Sequence, residues 1–135
     1  MNFFQFVSLY LITIPAFFAI DMIWLGLVAQ KFYQSQIGYL LGPVNWPAAI
    51  TFYLLYIIGI IIFAVHPALL AGSLQKAIIL GALFGFFAYA TYDLTNLATV
   101  KNWPLIVTIV DLIWGTVLTG SVAAASYLLG KTFIF

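Results

Sequence analysis

The chain has 135 residues, 66% of them hydrophobic and 5% charged, with a formal net charge of +1. A soluble domain carries about 25% charged residues, so four Lys and three Asp cannot furnish a water-facing surface. The lack of Arg and of any basic cluster excludes nucleic acid as a partner, and the lack of Cys excludes disulfides, thiolate metal sites and a Cys nucleophile.

Four apolar blocks follow one another, each long enough to cross a ~30 Å hydrocarbon core with about 20 residues. The first covers roughly residues 3–29 and contains Pro15. It has no Lys or Arg ahead of it and is far longer than the apolar stretch of a signal peptide, about 7–15 residues, so it reads as a retained helix. Within residues 30–44, Lys31, Phe32, Tyr33, Ile37, Tyr39 and Leu40 mix aromatic and polar character, which predicts a short helix lying in the membrane interface. The second block covers residues 47–65 and stops at His66-Pro67, which reads as an interfacial helix end. The third covers residues 74–100 and the fourth residues 104–129, joined by Lys101-Asn102-Trp103. The expectation is an all-α fold: one polytopic domain, a bundle of four transmembrane helices.

Two short echoes link the halves. Asn45-Trp46-Pro47 precedes the second helix and Asn102-Trp103-Pro104 the fourth. Asn suits an N-cap, Pro the first turn and Trp the interface. Asp21-x-x-Trp24 is matched by Asp111-x-x-Trp114, each followed closely by Gly. An ancient duplication is one reading of these matches.

The only acids are Asp21, Asp93 and Asp111, and all fall inside predicted helices. With four spans, the first and third helices end on the membrane face where the second and fourth begin. Asp21 and Asp93 lie past the middle of their helices and Asp111 before the middle of its own. At 1.5 Å per residue each sits roughly 7–9 Å from the midplane, displaced toward that one face. An Asp at a helix centre costs about 2.5–3.5 kcal/mol on insertion scales, so such residues face the bundle interior and have partners. Thr108, Gly115 and Thr119 share a stripe with Asp111; Tyr89 and Asn96 share one with Asp93; Tyr53 and Tyr56 share a side of the second helix. Trp24 and Trp114 each stand one turn from an Asp, where an indole N–H can donate to a carboxylate. Gly81-x-x-x-Gly85 lets the third helix approach a neighbour closely. Three carboxylates at one depth repel, so at least one carries a proton or a cation accompanies them.

Asp21-Met22-Ile23-Trp24-Leu25-Gly26, the stretch from Tyr89 to Thr99 with Tyr92-Asp93-Leu94-Thr95-Asn96 at its centre, Trp103-Pro104, and Asp111-Leu112-Ile113-Trp114-Gly115 resemble the "domain of unknown function 2177" family of small bacterial membrane proteins. The resemblance spans nearly the whole chain. It implies four helices in a bacterial inner membrane and brings no catalytic residues with it.

The residues support a polar intramembrane pocket that binds a lipid-like or amphipathic ligand, with Asp21, Trp24, Tyr89, Asp93, Asn96, Asp111 and Trp114 as its lining. Two alternatives stand beside it. One is a membrane enzyme acting on lipids, with Asp21, Asp93 and Asp111 as acid–base or cation-binding groups; no two acids share a short motif, which weighs against a metal-dependent site. The other is a proton- or ion-coupled transport module, for which four helices suggest a homo-oligomer. A structural reading, in which the acids only tie helices together, competes with all three. Membrane lipids are the expected partners, and no cofactor or metal is assigned. Lys76, Lys131 and the N-terminal amine fall on one face, Lys31 and Lys101 on the other, so the positive-inside rule places the acids toward the outer side by a single charge.

The topology predicts that single Cys residues introduced at Asn45 and Asn102 are labelled from one side of sealed vesicles, and one at Ser73 from the other. Labelling of positions 45 and 102 from opposite sides breaks the shared-face arrangement.

Overall fold

A computed structural model describes residues 1–135. It contains four long apolar helices and no strand: α1 (Phe3–Leu40), α2 (Trp46–Ala71), α3 (Leu74–Thr99) and α4 (Leu105–Phe133). The protein is a multi-pass bundle of four membrane-spanning helices. Large apolar side chains such as Phe3, Leu27 and Leu70 point outward, as helices in lipid require, because each helix satisfies its backbone polar groups internally.

The helix ends follow local chemistry. Asn2 and Gln5 form a reciprocal capping box ahead of α1. The Asn45 side chain accepts from the Ala48 N–H at 3.2 Å, and Ser73 accepts from the Lys76 N–H at 3.1 Å. Gly72 closes α2 in the left-handed conformation, φ 62°, where a residue lacking Cβ has no steric cost. The two Asn-Trp-Pro echoes are not equivalent. Asn102 itself takes a left-handed conformation, φ 63°, and caps nothing; Pro104 is the N-cap of α4, and Trp103 is buried. Trp103 packs against Ile37 and Val107.

The first two helices run past the ends expected from sequence through a π turn, and α4 continues to Phe133 without one. In α2 the wide turn covers Ile61–Val65, where the His66 N–H reaches back to the Ile61 carbonyl. Pro67 follows at once. Its ring clashes with the preceding turn and it has no N–H to give; widening the turn accommodates both, so the helix carries His66 inside it and continues to Ala71. In α1 the π turn covers Leu25–Ala29 and the helix continues through Gln30–Ile37. The segment expected to lie separately in the interface is helical but continuous with α1. Pro15 is carried within the helix.

The core is a contiguous layer built on Leu9, Phe17, Ile57, Ile60, Leu118 and Val122, all with no exposed surface. Hydroxyl pairs cross it: Thr13 with Ser126 at 2.6 Å joins α1 to α4, and Tyr56 with Thr119 at 2.7 Å joins α2 to α4. The tightest seam lies between α3 and α4. A Cβ on Gly81 would come within 2.6 Å of the Ala123 methyl and 2.8 Å of the Thr119 carbonyl. A Cβ on Gly85 would strike the Gly115 carbonyl, and one on Gly115 would strike the Tyr89 ring. The Gly81/Gly85 spacing therefore serves the close approach that sequence predicts, with α4 as the neighbour.

Gly85→Val is expected to destabilise the bundle by roughly 1–3 kcal/mol, the usual penalty for overpacking, and Gly115→Ala to do so by displacing Tyr89. Gly26→Ala, where an added Cβ meets nothing within 4 Å, is the neutral control. Unfolding of the detergent-solubilised protein by a denaturing detergent reads all three; equal midpoints would remove the seam from its structural role.

Candidate functional site

The glycine seam brings the acid-bearing turns of α3 and α4 together. Thr108, buried on α4, donates through its hydroxyl to the Asp93 backbone carbonyl at 3.3 Å and accepts from the Trp103 indole N–H at 3.1 Å. This links the last turns of α3 to the first turns of α4. The carboxyl groups of Asp93 and Asp111 then lie side by side, within hydrogen-bonding reach of each other. Asp93 is completely buried, and neither of its carboxyl oxygens has a donor in the protein. A buried polar group without a partner is costly. A proton shared between the two carboxyl groups would supply the missing hydrogen bond.

Asp111 has a donor of its own. The Tyr33 hydroxyl, on the late part of α1, donates to Asp111 Oδ1. The π turn explains how it gets there. Tyr33 follows Asp21 by twelve residues, a rotation of about 120° in a regular α-helix at ~100° per residue. Absorbing one residue in the wide turn leaves about 20°, so Asp21 and Tyr33 face the same way. Tyr33 falls in the segment expected to lie in the interface, and nothing in its sequence neighbourhood signals this contact.

Asp21 sits apart from the pair. It is buried, and the Tyr53 hydroxyl and the Trp114 indole are placed to donate to it. Trp114 thus lies near the acid of the opposite helix and makes no hydrogen bond to the acid one turn away on its own. The Trp24 and Trp114 rings stack at 4.8 Å with 13° between their planes, and the Trp24 indole is placed toward the Tyr33 hydroxyl. Tyr53, Asp21, Trp114, Trp24, Tyr33, Asp111 and Asp93 thus form one chain of adjoining groups across α2, α1, α4 and α3. The expected single cluster of three acids is instead a pair and a separate acid joined through two indoles and a phenol. No three of the His and Asp side chains converge as metal ligands would. His66, the sole histidine, lies at the other end of the bundle beside Gln5 and Lys131.

Two grooves flank this chain. One, of about 350 Å³, lies between α2 and α3 and is walled by Phe52, Ala88, Tyr89 and Tyr92. Tyr89 packs on Gly115 and stands 6.5 Å from Tyr56 between ring centres. The Asn96 amide is placed toward the Tyr92 hydroxyl. The other groove, of about 160 Å³, lies on α1 and α4 beside the indole stack, against Val110, Ile113 and Val117. The grooves are aromatic and aliphatic; the aspartates lie behind their walls.

The family model described as "Predicted membrane protein (DUF2177)" matches residues 6–128, and the chain belongs to that family. No curated protein and no solved structure matches it.

Asp93→Asn supplies an amide donor in place of the shared proton and is expected to keep the unfolding midpoint of the parent. Asp111→Leu removes the partner of Asp93 and strands Tyr33, so it is expected to cost about 1–3 kcal/mol; Tyr33→Phe is expected to cost about 1 kcal/mol. A loss for Asp93→Asn as large as that for Asp111→Leu would show that the pair needs two ionised acids.

Proposed function

We propose that this member of the DUF2177 family binds an amphipathic, lipid-like molecule within the bacterial cytoplasmic membrane, with its apolar part in the α2–α3 groove. The observation that carries this reading is the groove itself. Its volume of about 350 Å³ falls within the usual range of small-molecule sites, about 300–1,000 Å³. Its walls are aromatic, and Asp93 follows the groove residue Tyr92 directly in sequence. An acyl chain entering from the bilayer meets Phe52 and Tyr89, while the Tyr92 and Tyr89 hydroxyls and Asn96 offer polar contacts to a head group. Asp21, Trp24, Asp93, Asp111 and Trp114 form the polar backing that fixes the shape of the site.

A second reading has its own support. The Asp93–Asp111 pair, the Tyr33 hydroxyl and the indole-bridged Asp21 provide adjoining proton-bearing groups inside the membrane, the type of chain that marks proton paths. In that reading ligand occupancy and proton movement are coupled at Tyr92-Asp93.

Labelling with a photoreactive fatty acid tests the binding site. Label is expected on the α3 segment containing Tyr89 and Tyr92. Ala88→Trp, which fills the groove, is expected to reduce it several-fold, whereas Leu83→Trp on the exposed side of α3 leaves it unchanged. Equal labelling of all lipid-facing helices, or retention in Ala88→Trp, would count against the site. A proton flux in proteoliposomes that is lost in Asp93→Asn, with labelling intact, would favour the second reading.

A further inference from the structure

The end of the bundle remote from the aspartates holds a second crevice, of about 360 Å³. It lies between the start of α1 and the ends of α2 and α4. Gln5, His66 and Lys131 supply its polar lining, and Leu69, Leu70 and Phe135 are among its apolar walls. Lys131 stands 5.8 Å from the centre of the Tyr127 ring, which steadies its ammonium beside the crevice. The chain has three acids, and all of them belong to the polar chain toward the other membrane face. No Asp side chain is therefore near the Lys131 ammonium, which stands at a crevice with a half-buried imidazole and an amide.

We propose that this crevice is a binding site for the phosphate-bearing head group of an anionic phospholipid. Lys131 supplies the charge, and His66 and Gln5 supply hydrogen-bond donors to phosphate oxygens. Leu69, Leu70 and Phe135 cover the glycerol and the first carbons of the chains. The mixed lining selects a lipid over free phosphate: an inorganic ion would leave the apolar walls uncovered. The location also fits, since basic pockets between transmembrane helices near an interface are where anionic head groups are held. This site is separate from the α2–α3 groove, and its occupancy is independent of the aspartates.

The test is thermal unfolding of the purified full-length chain in detergent with added phosphatidylglycerol, phosphatidylcholine or inorganic phosphate. Phosphatidylglycerol is expected to raise the midpoint, and the other two are expected to leave it in place. Lys131→Gln is expected to weaken the apparent affinity, read as the shift relative to its own lipid-free midpoint, about tenfold, in keeping with the loss of one charged hydrogen bond. His66→Gln keeps an amide donor and is expected to lose less. Lys76→Gln changes an exposed lysine that does not line the crevice and is expected to respond as the parent does. Equal stabilisation by phosphatidylcholine, competition by inorganic phosphate, or an equal loss in Lys76→Gln would each overturn the proposal.

Discussion

The close contact between α3 and α4 governs the rest of the structure. In lipid there is little hydrophobic gain from pressing two apolar helices together, so packing and interhelical hydrogen bonds must hold them. Gly81 and Gly85 on one helix, and Gly115 and Gly120 on the other, remove the side chains that would keep the backbones apart. Thr119 and Ala123 fill the remaining space. Once the two backbones meet, Asp93 and Asp111 have nowhere to go but beside each other, and Tyr89 has only the face of Gly115 to lie on. The acid pair is thus a geometric result of glycine placement. Its polarity is tolerated because Thr108, Trp103 and Tyr33 close around it.

Much of this was legible in the sequence because lipid imposes simple rules. Charge depletion and the length of the apolar blocks give four helices. The Gly-x-x-x-Gly spacing gives a tight seam. The offsets of the three aspartates from the helix centres point them toward one end of the bundle. What escaped depends on departures from regular helical period. Nothing in Leu25-Gly26-Leu27-Val28-Ala29 announces a π turn, yet that turn decides which way Tyr33 faces. Pro67 does announce a disturbance in α2, but not whether the helix breaks or widens.

The partnering of the indoles shows a second limit. Along one helix, Trp114 stands three residues from Asp111, and local spacing suggests that they pair. Across helices, Trp114 is directed to Asp21 and stacks on Trp24. Such cross-pairing follows from the antiparallel placement of α1 and α4, which spacing within one segment does not encode. The Asn-Trp-Pro echo fails for a related reason. Identical tripeptides met connections of equal length, residues 41–45 before α2 and 100–104 before α4, but only the first kept Asn as a cap, because Asn102 takes a left-handed conformation.

The wide turn in α1 bears on how the two halves of the chain relate. A π turn is the mark left when a helix accommodates one residue more than its regular winding allows. The Asp-x-x-Trp echo lies in α1, the first helix of its half, and in α4, the second helix of the other. Immediately afterwards α1 takes up its extra residue, and α4 has no counterpart. Laying one half on the other sets α1 on α3 and α2 on α4, so the Asp-x-x-Trp echo joins helices that do not correspond. If the halves descend from a common ancestor, the Asn-Trp-Pro pair stands at corresponding places before α2 and α4, and the Asp-x-x-Trp pair belongs to no such correspondence.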